Sequence, residues 1–148
     1  MINRREAIKG ILFTFALFES GKTYAGDYKN VNTTGIKKLA NREDPTISEQ
    51  KNVPAIEAPE KVNLGEWFDL KVKVGFLKAH PSSPEHWITM IKLLIDGKDI
   101  AITNFKVGGK SAPIARFRVK LVKSSTVEAI EHCNLHGTWI SDKINIRV

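Results

Sequence analysis

Cysteine is almost absent from this chain. Cys133 is the one cysteine among 148 residues, so the chain can form no disulfide bond within itself. An unpaired thiol in a protein outside the cytoplasm would be open to oxidation. Ligation to a metal ion would explain such a thiol, because coordination holds the sulfur as a thiolate in a defined site.

The chain also lacks a basic tract of the nucleic-acid-binding kind and an apolar run long enough to span a membrane. The net charge is +7, but no tract of lysine and arginine interleaved with aromatic residues is present, so we expect no nucleic-acid partner. The charge is spread along the chain, which suits attraction of a small anion. The apolar run at 11–18 is too short to cross a bilayer comfortably.

The amino-terminal residues resemble an export signal. Arg4 and Arg5 precede the apolar run, and small residues at the end of the segment offer a cleavage site after Ala25. Paired arginines followed by a lysine are typical of a twin-arginine signal. We therefore expect residues 1–25 to be a leader, residues 26–49 to be a linker or loosely attached arm, and the mature protein to be periplasmic without stable membrane association.

Apolar and polar residues alternate through the rest of the chain, which predicts strands. The predicted strands cover 67–75, 87–95, 100–107, 114–121, 126–130 and 139–148. Short strands separated by turns are typical of an immunoglobulin-like antiparallel β-sandwich, so we predict an all-β fold for residues 50–148. The tryptophans are expected to fill the core between the sheets, namely Trp67, Trp87 and Trp139.

Histidine is also scarce, but three of the four histidines are grouped in two short motifs. The first reads His80-Pro81-Ser82-Ser83-Pro84-Glu85-His86, and the second reads Cys133-Asn134-Leu135-His136. Two prolines can hold the imidazoles of the first motif at a fixed separation, and Cys-x-x-His places a thiolate and an imidazole on one side of a tight turn. Nitrogen and sulfur donors suit iron, zinc or copper, whereas calcium prefers oxygen. Each motif alone is a weak signal, but together they predict one shared transition-metal site.

The segments His80–Ile88 and Cys133–Trp139 resemble the two iron-binding segments of the superoxide reductase family, also called neelaredoxin or the catalytic domain of desulfoferrodoxin. The resemblance covers residues 50–148. It implies one non-haem iron per chain, with an open sixth position that faces solvent. It implies these ligands: His80, His86 and His136 in the equatorial plane and Cys133 as the axial thiolate. His132 has no ligand role in the family pattern.

The same resemblance implies an activity, the reduction of superoxide to hydrogen peroxide with an electron from an external donor. Lys51 matches the family lysine that attracts the superoxide anion and helps to protonate the product. Because the chain has only one cysteine, it contains no four-cysteine rubredoxin-like module, and we expect the donor to be another protein or a small molecule. The sequence is compatible with a homo-oligomer.

Two positions depart from the family pattern. Asn52 stands where the fourth imidazole is expected, and Gln50 stands where the family has a glutamate that ligates the oxidised iron. Three arrangements fit the first departure: Asn52 ligates through its carbonyl oxygen, water takes its place, or the site has a lower coordination number.

The missing imidazole motivates a second hypothesis, a periplasmic iron-binding or electron-transfer protein with a degenerate site. A third hypothesis is an immunoglobulin-like sulfur carrier of the thiosulfate-oxidation kind. Such carriers present their cysteine on a glycine-rich carboxyl-terminal arm, whereas Cys133 lies well before Val148. The position of the cysteine therefore counts against the third hypothesis.

Overall fold

The computed structural model describes residues 35–148, so the predicted leader and the first part of the predicted linker lie outside the described residues. The elements are α1 (Ile47–Asn52), β1 (Pro54–Glu57), β2 (Trp67–Val74), β3 (Ile88–Ile95), β4 (Lys98–Asn104), β5 (Ile114–Lys120), β6 (Ser125–Cys133), β7 (Gly137–Ile140) and β8 (Ile144–Ile146). Within this range, no helix is long and apolar enough to cross a membrane.

Two antiparallel sheets pack face to face. One sheet has the order β1-β2-β5, and the other has the order β4-β3-β6-β7, with β8 also paired to β6. Buried and exposed residues alternate along β5 from Ile114 to Lys120, as expected for a strand with one face on the core. A single core cluster joins Val72 of β2 to Leu93 of β3, and both side chains are 0% exposed. The predicted all-β sandwich is confirmed.

The predicted strand bounds differ from the structure in a few places. The strand predicted over 100–107 is β4, which ends at Asn104, and the segment predicted as one strand over 139–148 contains the separate strands β7 and β8. β6 continues to Cys133, three residues past its predicted end at residue 130. Two short elements, α1 and β1, were not predicted, since six and four residues are too few to establish a periodic pattern.

The prediction that all three tryptophans fill the core is wrong for Trp67. Its side chain is 58% exposed, because Trp67 lies on the outward face of β2 with Asp69, while Leu70 points inward. Trp87 is half-buried, and its indole N–H donates to the Phe105 carbonyl at 3.0 Å. Trp139 is 5% exposed and buried as predicted.

The arm from residue 37 onward is attached to the sandwich, although the sequence assigned it to a linker or loosely attached arm. The Lys37 N–H donates to the Thr138 carbonyl at 2.9 Å, and the Lys37 carbonyl accepts from the Ile140 N–H at 2.9 Å. These two bonds form a parallel bridge along the edge of β7. The bridge brings the arm to the strand that follows the Cys-x-x-His motif.

The Glu49 carboxylate fixes the start of α1 and the arm together. It is 6% exposed and accepts hydrogen bonds from the Ala40 N–H at 2.7 Å and the Thr46 N–H at 2.8 Å. The Thr46 hydroxyl accepts from the Glu49 N–H at 3.2 Å, which completes a capping box. These backbone and hydroxyl bonds hold the pKa of Glu49 below its usual value.

The end of α1 packs against the loop that leads to the first histidine of the metal motif. The Gln50 carbonyl accepts from the N–H groups of Leu77 at 3.3 Å and Lys78 at 3.2 Å. Gly75 has a φ of 90°, and a Cβ there would lie 2.0 Å from the Lys78 carbonyl oxygen and 3.0 Å from that of Lys51. Glycine is therefore required at this position, where α1 and the loop come together.

Candidate metal centre

Four side chains from the two motifs meet at one end of the sandwich. One ligand atom of each lies within 4.8 Å of the others, and the residues are His80, His86, Cys133 and His136. The ring centroids of His80 and His86 are 4.7 Å apart, and those of His86 and His136 are 4.8 Å apart. The pairing of β3 with β6 sets Ile88 opposite Cys133 and so brings the two distant motifs together. The convergence expected from the sequence is present.

The loop that carries His80 and His86 is fixed by its own hydrogen bonds. The Ser83 N–H donates to the His86 carbonyl at 2.9 Å, and the Ser83 hydroxyl accepts from the His86 N–H at 3.1 Å. Nδ1 of His80 lies 2.7 Å from the Pro81 carbonyl, an acceptor, so Nδ1 carries the proton and Nε2 presents a lone pair. This is the tautomer that a metal ligand needs.

The imidazole nitrogens of this loop fit a bound metal. Nε2 of His80 and Nε2 of His86 are buried and find no hydrogen-bond partner within the described residues. Buried polar atoms usually have a partner, and an unpartnered one in a polar cluster calls for an explanation. Two nitrogen lone pairs and a thiolate within reach of each other suit a transition metal such as iron or zinc.

Cys133 and His136 sit at the two ends of a hairpin turn. Cys133 pairs with Gly137 across the end of β6 and β7, and Gly137 adopts a φ of 77°. A three-residue loop followed by a residue in the left-handed region is a common hairpin geometry. The turn directs the His136 N–H at Sγ of Cys133 at 3.4 Å and places His136 Nδ1 3.5 Å from the same sulfur.

Asn134 links the two motifs by three hydrogen bonds to the chain beside His86. Its Oδ1 accepts from the Trp87 N–H at 2.9 Å, and its Nδ2 donates to the Glu85 carbonyl at 2.8 Å. Its backbone N–H donates to the Trp87 carbonyl at 3.2 Å. Asn134 lies inside the Cys-x-x-His motif, and the motif by itself predicts no role for it. The structure makes it the residue that holds the histidine loop against the cysteine turn.

Burial sets the protonation of the site. Desolvation lowers the pKa of His80 to about 4 against the opposing hydrogen bond to the Pro81 carbonyl, and the charge of Lys51 adds to the lowering. Desolvation likewise lowers the pKa of His86. Burial raises the pKa of the Cys133 thiol, opposed by the N–H groups of Leu135 and His136. At neutral pH these two imidazoles are therefore neutral and ready to ligate, whereas the thiol must lose a proton when a metal binds.

Glu131 is a buried acid next to the site that sequence reasoning missed. It is 0% exposed on the inner face of β6, between its cross-strand neighbours Ile91 and Trp139. Neither carboxyl oxygen has a hydrogen-bond partner within the described residues, and burial raises the pKa of Glu131 to about 9. The group is therefore a neutral acid at pH 7. The sequence does contain a signal for the burial of Glu131, because this residue continues the inward-facing alternation of Val127 and Ala129 along the strand.

The residues at the two departures from the family pattern lie on α1. Gln50 donates through Nε2 to the Pro45 carbonyl at 2.9 Å. Asn52 is 1% exposed, its Nδ2 donates to the Ser48 carbonyl at 2.8 Å, and its Oδ1 is buried without a partner within the described residues. The neighbouring Glu49 carboxylate cannot replace the family glutamate, because it is held by Ala40 and Thr46.

Lys51 and His132 differ in their relation to the site. Lys51 is exposed in the last turn of α1, which packs against the loop that leads to His80, and its positive charge contributes to the lowered pKa values of His80 and His86. His132 is outside the four-residue group; its Nδ1 lies 2.9 Å from the Thr138 hydroxyl. This placement agrees with the expectation that His132 is a neighbour and no ligand.

Proteins of known family resemble the chain over the β-sandwich that carries the two motifs. The family model of desulfoferrodoxin matches residues 44–142. The desulfoferrodoxin of Desulfarculus baarsii is 39% identical over 102 residues, which span 69% of this chain and 70% of that protein. The superoxide reductase of Pyrococcus furiosus is 33% identical over 107 residues, which span 61% of this chain and 84% of that protein. The solved structure of superoxide reductase (neelaredoxin) from Ignicoccus hospitalis gives a TM-score of 0.65 at 34% identity and covers 76% of this chain and 94% of that chain.

Proposed function

Because this chain belongs to the desulfoferrodoxin family, we propose that it is an oxidoreductase that uses one non-haem iron to reduce superoxide to hydrogen peroxide. The observation that carries the proposal is the meeting of three imidazoles and one thiolate within 4.8 Å. The similarity to proteins named superoxide reductase and neelaredoxin supports this reaction. The balanced change is one superoxide, one electron and two protons to one hydrogen peroxide.

The four donors are the residues that would hold the iron, namely His80, His86, Cys133 and His136. A thiolate and neutral imidazoles suit Fe²⁺ and Fe³⁺ alike, and one-electron reduction of superoxide is the chemistry that bound iron supplies. The loop bonds of Ser83 and the bridge of Asn134 hold the donors in position relative to one another.

Lys51 supplies a positive charge beside the donors. The last turn of α1 packs against the loop that leads to His80, and the charge of Lys51 contributes to the lowered pKa values of His80 and His86, which supports a role in attracting an anion to the imidazoles. A positive charge at the entrance raises the encounter rate with superoxide, and a lysine ammonium can pass a proton to a developing peroxide anion. We therefore assign anion attraction and proton supply to Lys51.

Superoxide consumption by the reduced protein tests this function. Fe²⁺-loaded protein, mixed with superoxide without oxygen, should give about one peroxide for each superoxide consumed, twice the yield of dismutation. Lys51→Met should slow the second-order reaction by about tenfold and weaken its salt dependence. Lys98→Met, in the hairpin that follows β3 at the other end of the strand, is the control and should react at the wild-type rate. A wild-type rate no faster than that of free Fe²⁺ would contradict the enzymatic function.

A second candidate function keeps the metal and omits the reaction. Asn52 supports an iron-binding or electron-transfer protein, because a buried amide stands where the family pattern has an imidazole, so the site has one strong nitrogen donor fewer. Replacing Asn52 by histidine should slow iron loss to a chelator by about tenfold or more. The measurement is the rate of iron transfer to the chelator, with Asn145→His as a surface control. Equal rates for Asn52→His and the wild type would show that position 52 does not reach the metal.

The proposed function includes a location in the periplasm and a separate electron donor. Arg4, Arg5 and the apolar run after them support export to the periplasm by the twin-arginine route. A folded protein on that route could receive its metal before export. The oxidised iron then needs an electron from a separate donor, which completes the reaction cycle.

A further inference from the structure

The side chain of Lys37 reaches the turn that carries two of the four donors. Its Nζ donates to the His136 carbonyl at 2.9 Å and lies 5.3 Å from the ring centroid of Trp139. A hydrogen bond and a cation–π contact together hold an ammonium group that would otherwise move freely in solvent. A permanent positive charge is thus fixed on the carbonyl side of the Cys133–Gly137 turn.

The opposite side of this turn points at the sulfur. The His136 N–H donates to Cys133 Sγ at 3.4 Å. The His136 carbonyl belongs to the next peptide group, so a bond that fixes this carbonyl also limits rotation of the peptide that faces the sulfur. Lys37 therefore acts on the thiolate in two ways, by holding the turn and by its charge.

Both effects favour the same oxidation state of a bound iron. Hydrogen bonds to a ligating sulfur reduce its electron donation, and a nearby positive charge opposes the additional charge of the ferric state. Reduction removes one positive charge from the site, so the ferrous form is favoured by each effect.

We propose that Lys37 is a positioning residue of the metal centre that holds the Cys133–Gly137 turn and raises the reduction potential of iron bound there. The inference rests on the proposed function, because it concerns iron held by these donors. This role of the Lys37 side chain is separate from the attachment of the arm. The bonds to Thr138 and Ile140 come from the Lys37 backbone and remain when the side chain is replaced.

The test is a redox titration of the iron-loaded full chain at low ionic strength. Lys37→Met should lower the midpoint potential by an amount that corresponds to about a tenfold change in the equilibrium constant for reduction, which is about 59 mV for one electron. Lys37→Arg keeps the charge and should stay near the wild-type potential. Lys38→Met removes the adjacent exposed lysine and should leave the potential unchanged. The difference between wild type and Lys37→Met should shrink as salt is added.

Several results would overturn the proposal. The proposal fails if the Lys37→Met variant has the same midpoint potential as the wild type. It also fails if Lys38→Met lowers the midpoint potential by as much as Lys37→Met does. If the midpoint potential of Lys37→Arg is as low as that of Lys37→Met, then the positive charge does not set the potential. These outcomes are distinct from failure of the proposed function, in which the wild-type chain would reduce superoxide no faster than free Fe²⁺, whatever the potentials of the variants.

Discussion

Replacing Cys133 by serine is expected to abolish the thiolate-to-iron absorption band and to reduce the rate of superoxide reduction by at least about a hundredfold. Serine keeps nearly the same shape, but its hydroxyl does not ionise at neutral pH and donates far less electron density to a metal. Cys133 is 0% exposed, so a small and isosteric replacement limits damage to the core. Absorption of the oxidised protein, iron content and the superoxide rate measure the effect.

His132→Ala is the matched control for this substitution. His132 is the residue before Cys133 in the chain, but its ring contacts the Thr138 hydroxyl at 2.9 Å and is outside the donor group. The control should keep the absorption band and most of the activity. A band that persists in Cys133→Ser would mean that the sulfur is no ligand, and stoichiometric zinc without colour in the wild type would indicate a structural site.

Replacing Glu131 by glutamine should make the protein markedly more stable in mild alkali. Folding raises the pKa of this acid from an ordinary 4.5 to about 9, so the folded state retains a proton that the unfolded state has lost. Because the folded state holds this proton more tightly, the carboxyl lowers the free energy of unfolding progressively as pH rises from 4.5 towards 9. Between pH 7 and 8.5 the wild type should lose about 2 kcal/mol of unfolding free energy relative to Glu131→Gln.

Denaturant unfolding at several pH values measures this difference. The window above pH 7 avoids His80, whose pKa is lowered to about 4 and which is neutral in both states there. Glu128→Gln is the control, because Glu128 is less buried on the same strand and lies 3.7 Å from Lys143. If wild type and Glu131→Gln have parallel pH profiles, then the carboxyl of Glu131 has a near-normal pKa.

The sequence predicted which four side chains lie together because each motif is local. Cys-x-x-His is completed within one turn, and the two histidines of the other motif are six residues apart. Their meeting, however, depends on the register that sets Ile88 opposite Cys133, and no local pattern encodes a pairing between strands so distant in the chain. The family resemblance supplied this long-range information.

What the sequence could not predict depends on contacts between distant residues. Lys37 and Lys38 are indistinguishable in sequence, and only the bridge to β7 shows which one faces the His136 carbonyl. α1 is six residues long, so its capping box was the sole local signal and its contacts with the histidine loop supply the rest. A large apolar side chain predicts burial for Trp67, but the alternation of β2 places this residue on the outward face of the strand.

The bridge between Lys37 and β7 bears on where a shortened version of this protein should begin. A fragment that starts at residue 44, where the match to the family begins, would still contain all four side chains of the histidine and cysteine cluster. It would nonetheless bare the Thr138 carbonyl and the Ile140 N–H on an open strand, a surface that invites pairing with another molecule. We expect such a fragment to keep the four clustered side chains and yet to self-associate, whereas a fragment that begins upstream of Lys37 keeps the edge of β7 paired.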